Sequence, residues 1–201
     1  MEHRDVIVHV EITCTPICIL SLNFRNAFDR ISHRYLFHIL AGYGISAWFI
    51  NRIHSMYEHA TASIVINGAL AGPIPIQRAV RQGCPLSTAL YALRVHPLLC
   101  TLKDRLTGIN IGKRGHRISA LAREDDITVF LTHRVDIEKV NQAIRKYERE
   151  RGAQLNPNKS WALFVGGWAE PITPLGTDLL PQVKILGVTF GSTVEATVQE
   201  S

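Results

Sequence analysis

Leu121-Ala122-Arg123-Glu124-Asp125-Asp126-Ile127-Thr128-Val129-Phe130-Leu131 sets two adjacent carboxylates at the mouth of an apolar, β-branched run. Residues 127–131 read as a strand buried on at least one face. Asp125 and Asp126 then fall where that strand begins, most simply in the turn of a hairpin with residues 117–120. Neighbouring carboxylates repel, so the pair is costly unless a cation lies between them. An exposed acidic turn would account for a lone Asp-Asp. A divalent-metal site requires partners elsewhere in the chain.

The 201 residues suffice for one sizeable core. With 46% hydrophobic and 19% charged residues, the composition excludes a disordered chain. Lys plus Arg number 22 against 17 Asp plus Glu, a formal net charge of +5 that suits a polyanionic partner. Cys14, Cys18, Cys84 and Cys100 form no C-x-x-C pair, and no histidine cluster completes a zinc set; reduced thiols are expected. No apolar segment is long enough to span a bilayer. Residues 6–22 are largely apolar, but His9 and Glu11 interrupt them and Glu2 and Asp5 occupy a would-be basic leader, which argues against a signal peptide.

Outward from the acidic pair, residues 17–22 (ICILSL) form a nearly continuous apolar run, the pattern of a central strand. Ser32 can cap a helix that sets Tyr35, Leu36, Ile39 and Leu40 on one face and breaks at Gly42 and Gly44. Ser46 opens another, with Trp48, Phe49, Ile53, Met56 and Tyr57 at helical spacing. Asn67-Gly68 is a hairpin signal, and Pro73 and Pro75 make the returning strand an edge or an irregular one. A helix is expected over 86–106, kinked at Pro97. Residues 108–120 read as two short strands joined by a turn at Lys113-Arg114-Gly115. Asp136 opens a helix striped by Ile137, Val140, Ile144 and Tyr147 and ended by Gly152. Strands are expected over 161–165 and 183–190, with a loop over 171–181. Trp48, Trp161 and Trp168 read as core or edge packing. The order of elements predicts an α+β layer, helices on one face of a mostly antiparallel sheet.

Five segments in this order resemble the reverse transcriptase palm of non-LTR, LINE-type retrotransposons, over roughly residues 17–190. Leu22-Asn23-Phe24-Arg25-Asn26-Ala27-Phe28-Asp29 is similar to the family's L-D-F-x-K-A-F-D block. Arg78-Ala79-Val80-Arg81-Gln82-Gly83-Cys84-Pro85-Leu86-Ser87 is similar to R-G-V-R-Q-G-C-P-L-S, the most specific match. Residues 122–126 stand where the family has A-Y-A-D-D, residues 155–160 resemble L-N-x-x-K-S, and residues 184–187 resemble K-I-L-G. The resemblance implies a palm with a ferredoxin-like core over 17–190, a partly ordered leader over 1–16 and a frayed tail over 191–201. It implies two Mg²⁺ ions roughly 3.5–4 Å apart that would assist nucleotidyl transfer on an RNA or DNA template–primer. It also implies fingers, thumb or endonuclease regions of a parent polyprotein outside this stretch, and a nuclear or cytoplasmic location rather than secretion.

By the same resemblance, Asp125 and Asp126 are catalytic metal ligands, and Asn23 occupies the position of the third. An amide oxygen carries no charge, and losing a bridging carboxylate costs several kcal/mol, meaning several powers of ten in rate. Metal binding is therefore expected to be weakened and the polymerase inactive. Other departures are Arg123-Glu124 for Tyr-Ala, Asn26 for Lys and Ala79 for Gly. Phe24, Phe28, Gln82, Gly83 and Lys159 match nucleotide-binding positions, although Phe28 equally suits ordinary core and Lys159 a solvated turn. Arg78 and Arg81 suit phosphate contact. Two further readings stand beside an inactive polymerase: a nucleic-acid-binding or protein-interaction module kept from a retroelement, and a remnant without function.

Overall fold

The computed structural model describes residues 6, 9, 10, 12–81, 83–112, 115–123, 126–168, 172, 174–185 and 188–191, with the backbone alone for 123, 184, 185 and 188–191. In chain order the elements are β1 (Ile17–Leu22), α1 (His33–Gly42), α2 (Ala47–Tyr57), β2 (Thr61–Ile66), β3 (Ala69–Pro75), α3 (Pro85–Arg105), β4 (Ile109–Ile111), β5 (His116–Ile118), β6 (Ala120–Arg123), β7 (Asp126–Leu131), α4 (Arg134–Arg151), β8 (Trp161–Val165), β9 (Asp178–Leu179), β10 (Gln182–Ile185) and β11 (Val188–Gly191). They divide into two compact units, one of residues 1–25, 98–148 and 154–201, the other of 26–97 and 149–153.

The first unit holds a five-stranded sheet in the order β6-β7-β1-β8-β9. Every pairing in it is antiparallel except β8 with β9. All six residues of β1 are buried, which is why its sequence is apolar on both faces rather than alternating. The registers place Ile19 opposite both Phe130 and Leu163, and Ile17 opposite Val165. These five side chains line one face and join a core with Val6, Val10, Ile109, Ile111 and Ile118. In α4 the buried stripe is Ile137, Val140, Ala143, Ile144 and Tyr147, as its period predicts. The result is an α+β unit with a mainly antiparallel sheet.

The second unit carries α1, α2, the β2–β3 hairpin and the first part of α3. Asn67 and Gly68 have φ of +49° and +83°, the two positive values of a tight hairpin turn. The register slips between Ala62 and Ile64 where Pro73 interrupts β3. Ser32 stands at the N-cap of α1 and Ser46 at that of α2, where its hydroxyl accepts from the Phe49 N–H. A single helix, α3, runs through Pro97.

Four expectations change. The partner of the acidic strand is β6, residues 120–123, and not 117–120: Arg117 and Ile118 pair with β4, and the chain changes partner at Ser119. The last expected strand, 183–190, is two antiparallel strands, β10 and β11. Their connection, Leu186-Gly187, and the basic turn at Lys113-Arg114 lie outside the described residues. The 171–181 loop contains β9, held in parallel by Trp161 and Ala162. In α2 only Ile53 and Tyr57 are buried; Trp48 is 66% exposed with the Arg52 guanidinium over its ring, and Phe49 and Met56 are exposed too. Trp161 and Trp168 do pack, against the core and on Phe164.

Candidate active site

Asn23 follows the last residue of β1, and Asp126 is the first of β7. Leu22 pairs with Ile127, so extending the register by one residue sets Asn23 opposite Asp126. Their side chains meet: Asn23 Nδ2 donates to Asp126 Oδ1 at 3.3 Å. On the other side Asp126 pairs with Arg123 of β6. Glu124 and Asp125, the two residues between, lie outside the described residues.

The backbone of Asn23 is fixed from the far side of the sheet. Its N–H donates to Ser160 Oγ at 3.0 Å, the same hydroxyl donates to its carbonyl at 3.4 Å, and the Asn156 N–H donates to that carbonyl at 2.8 Å. Ser160 is 1% exposed, so the hydroxyl is a buried structural group. Pro157–Lys159 form a 3-10 turn that carries an exposed Lys159 beside this clamp. The serine that ends the 155–160 segment is the sequence signal for this clamp, and its partner 137 residues away is not written beside it.

A pair of Mg²⁺ ions demands several oxygen acceptors, mostly charged. Among the described residues no group of three or more His, Cys, Asp or Glu could hold a metal. Asn23 stands beside Asp126 as a neutral amide, so the two bring one carboxylate where a metal pair demands several charged oxygens, and by themselves they do not fit it.

The remaining candidates fall in separate places. Phe24 belongs to the first unit, is 4% exposed, bridges to Leu155 and meets Tyr147 edge-on at 5.6 Å. That is a core position. In the second unit Phe28 stacks on Tyr91 with centroids 4.9 Å apart. It lines a cavity of about 530 Å³ with Arg81, Gly83, Cys84, Pro85, Ser87 and Thr88. Thus Phe28, Gly83 and Arg81 come together; Gln82 lies outside the described residues. Ser87 Oγ donates to the Arg81 carbonyl at 2.6 Å, and the Arg81 guanidinium donates to the Met56 carbonyl at 3.3 Å. Arg78 is exposed. Asp29 lies in the turn that precedes α1.

Two departures have a geometric reading. Asn26 has φ of +47°, a conformation asparagine tolerates. Ala79 has φ of +101°, a region that favours glycine, and is held there by its N–H to Ile31 O and by His33 Nε2 at 2.7 Å from its carbonyl.

A central strand flanked by two antiparallel neighbours, with an acidic hairpin at its end, is the arrangement of a polymerase palm. The family model for reverse transcriptase (RNA-dependent DNA polymerase) matches residues 4–190, and the chain belongs to that family, in the form carried by non-LTR, LINE-type retrotransposons. It is 34% identical over 178 residues to the transposon TX1 uncharacterized 149 kDa protein of Xenopus laevis, covering 89% of this chain and 13% of that protein. It is 30% identical over 190 residues to a Pol polyprotein from the type-1 retrotransposable element R2 of Popillia japonica, covering 87% of this chain and 31% of that protein. The chain therefore spans less than a third of the length of these relatives. Among solved structures, telomerase from Candida tropicalis in complex with a fragment of telomeric RNA matches 100% of this chain and 34% of its own, with a TM-score of 0.68 at 15% identity. The Candida albicans telomerase complex matches with a TM-score of 0.61 at 13% identity, covering 100% of this chain and 36% of its own. These likenesses show the fold. Among the described residues no helix is long and apolar enough to cross a membrane.

Proposed function

We propose that this chain is a retroelement reverse transcriptase palm that keeps the frame of template-directed nucleotidyl transfer and has lost its catalysis. Residues 17–190 form that palm in this reading, and Val6 and Val10 ahead of them pack into its core. The observation that carries the reading is the Asn23 N–H aimed at Asp126 across β1 and β7. Transfer of a nucleotide requires charge stabilisation worth many kcal/mol at this point, and a neutral donor supplies none of it to a cation. In the parent family Asp125, Asp126 and the residue at 23 would hold Mg²⁺; here Mg²⁺ binding is weakened. Phe28, Gln82, Gly83 and Lys159 are nucleotide-facing positions in this reading. Phe24 packs in the core against Tyr147.

Primer extension on an RNA template with Mg²⁺ or Mn²⁺ tests it. The expected product level equals that of Asp126→Ala and Asp125→Ala. Clear extension by the wild-type chain, abolished by either substitution, would overturn the reading.

The second reading, a nucleic-acid-binding module inside the cell, is favoured by the +5 charge and by exposed Arg78, Arg81 and Lys159. It is compatible with lost catalysis, because phosphate contacts need cations and no metal site. A remnant without function would show neither extension nor binding.

A further inference from the structure

We propose that the Asn23 carboxamide ties the β1–β7 strand end by hydrogen-bonding Asp126 where a third carboxylate would need a divalent ion, so that one substitution makes the stability of this strand end depend on an ion. This rests on the non-catalytic reading of the site.

Asp126 opens β7 directly after Asp125 in sequence, and an acidic strand end brought against a third carboxylate carries a repulsion that a cation relieves. Here the group opposite Asp126 is an amide, and its N–H donates to the carboxylate at 3.3 Å. The interaction is a hydrogen bond to a charged acceptor, which needs no counter-ion. The amide faces Asp126 with nitrogen rather than oxygen because oxygen against oxygen would repel. It is held in place: three hydrogen bonds from Ser160 and Asn156 fix the Asn23 backbone, and Leu22 and Ile127 fix the register one step away. A carboxylate at position 23 would meet Asp126 oxygen to oxygen on the same rigid frame, and only a cation between them would relieve the repulsion. Exchanging the two side chains would instead keep one donor and one charged acceptor across the same pair of positions.

Thermal unfolding of the chain without nucleic acid, in EDTA and in millimolar Mg²⁺ or Mn²⁺, decides it. The wild-type Tm should be the same in all three. Asn23→Asp should lower the Tm in EDTA by about 2–4 °C and recover with Mn²⁺. The exchange variant, Asn23→Asp with Asp126→Asn, should regain most of the loss in EDTA and show no response to Mn²⁺. If Asn23→Asp fails to fold in EDTA, recovery of a folded chain by the exchange variant supports the tie equally. A wild-type Tm that rises with Mn²⁺ overturns the proposal, and so does an exchange variant no more stable than the two losses added together. Primer extension is scored separately, so failure of the tie and failure of the non-catalytic reading are distinguishable.

Discussion

Ala79 carries a backbone cost that its neighbours impose. Its φ of +101° is held by a hydrogen bond on each side of the residue, both through backbone atoms. Removing the β-carbon relieves about 1–3 kcal/mol of conformational cost, and the freer unfolded chain returns about 0.4–1 kcal/mol of that. Ala79→Gly should therefore stabilise the protein by about 1 kcal/mol, seen as a higher urea midpoint at unchanged slope. Asp136 shows the opposite economy of contacts. It is fully buried, and burial alone would raise its pKa. Hydrogen bonds from Lys139 Nζ at 2.8 Å and the Thr107 N–H at 3.1 Å, with the Lys139 charge, outweigh burial and hold the carboxyl below its ordinary range. A depressed folded pKa means that the unfolded chain binds the proton more readily, so the contribution is present above about pH 3.9 and is lost as pH falls through the lower folded value. The stability gap between wild type and Asp136→Asn should be about 1–3 kcal/mol at pH 7 and should narrow below about pH 4 in denaturation curves. A gap that widens in acid would contradict this account of Asp136.

Among the elements, local chemistry was legible and partner choice was not. Asn67-Gly68 announced its hairpin because only such residues take two positive φ values in succession. The apolar run of β1 announced burial on both faces. By contrast, α2 displays a helical period whose Trp48, Phe49 and Met56 remain exposed, since periodicity defines a face without saying what covers it. The shift of partner at Ser119 and the two-residue β9 depend on pairings distant in sequence, as does the Ser160 hydroxyl that reaches Asn23 across 137 residues. In the site, position 23 and Asp126 were legible as neighbours, whereas the direction of the amide needed coordinates. Close backbone approach is equally invisible in sequence. Gly166 follows β8 with φ of +74°, and a β-carbon there would collide with the Thr15 carbonyl just ahead of β1. Both the turn and the junction of the two strands would have to move. Gly166→Ala should cost about 2–4 kcal/mol, measured by chemical denaturation, whereas Gly68→Ala, strained but in open space, should cost about 1 kcal/mol. Equal losses at the two sites would mean that the β1–β8 junction yields.

At the scale of the whole molecule, the proposal that the chain binds a polyanion has a measurable consequence in salt. The +5 balance is modest, and counterion release scales with the phosphates neutralised rather than with total charge. Arg78, Arg81 and Lys159 are exposed cations at positions that resemble the family's contact blocks, although Arg81 is partly committed to the Met56 carbonyl. Two phosphate contacts, from Arg78 and Arg81 of the second unit, give a slope of log affinity against log salt of about −2, far short of what a chain that grips a long duplex displays. Binding to an RNA–DNA hybrid, measured by fluorescence anisotropy across a salt series, should show that slope with affinity appreciable only at low salt. Arg78→Ala should flatten it by about 1 while lowering affinity uniformly across sequences, because a phosphate contact carries no base information. A slope that Arg78→Ala leaves unchanged would remove that arginine from the interface, and absence of binding at low salt would remove the nucleic-acid module altogether.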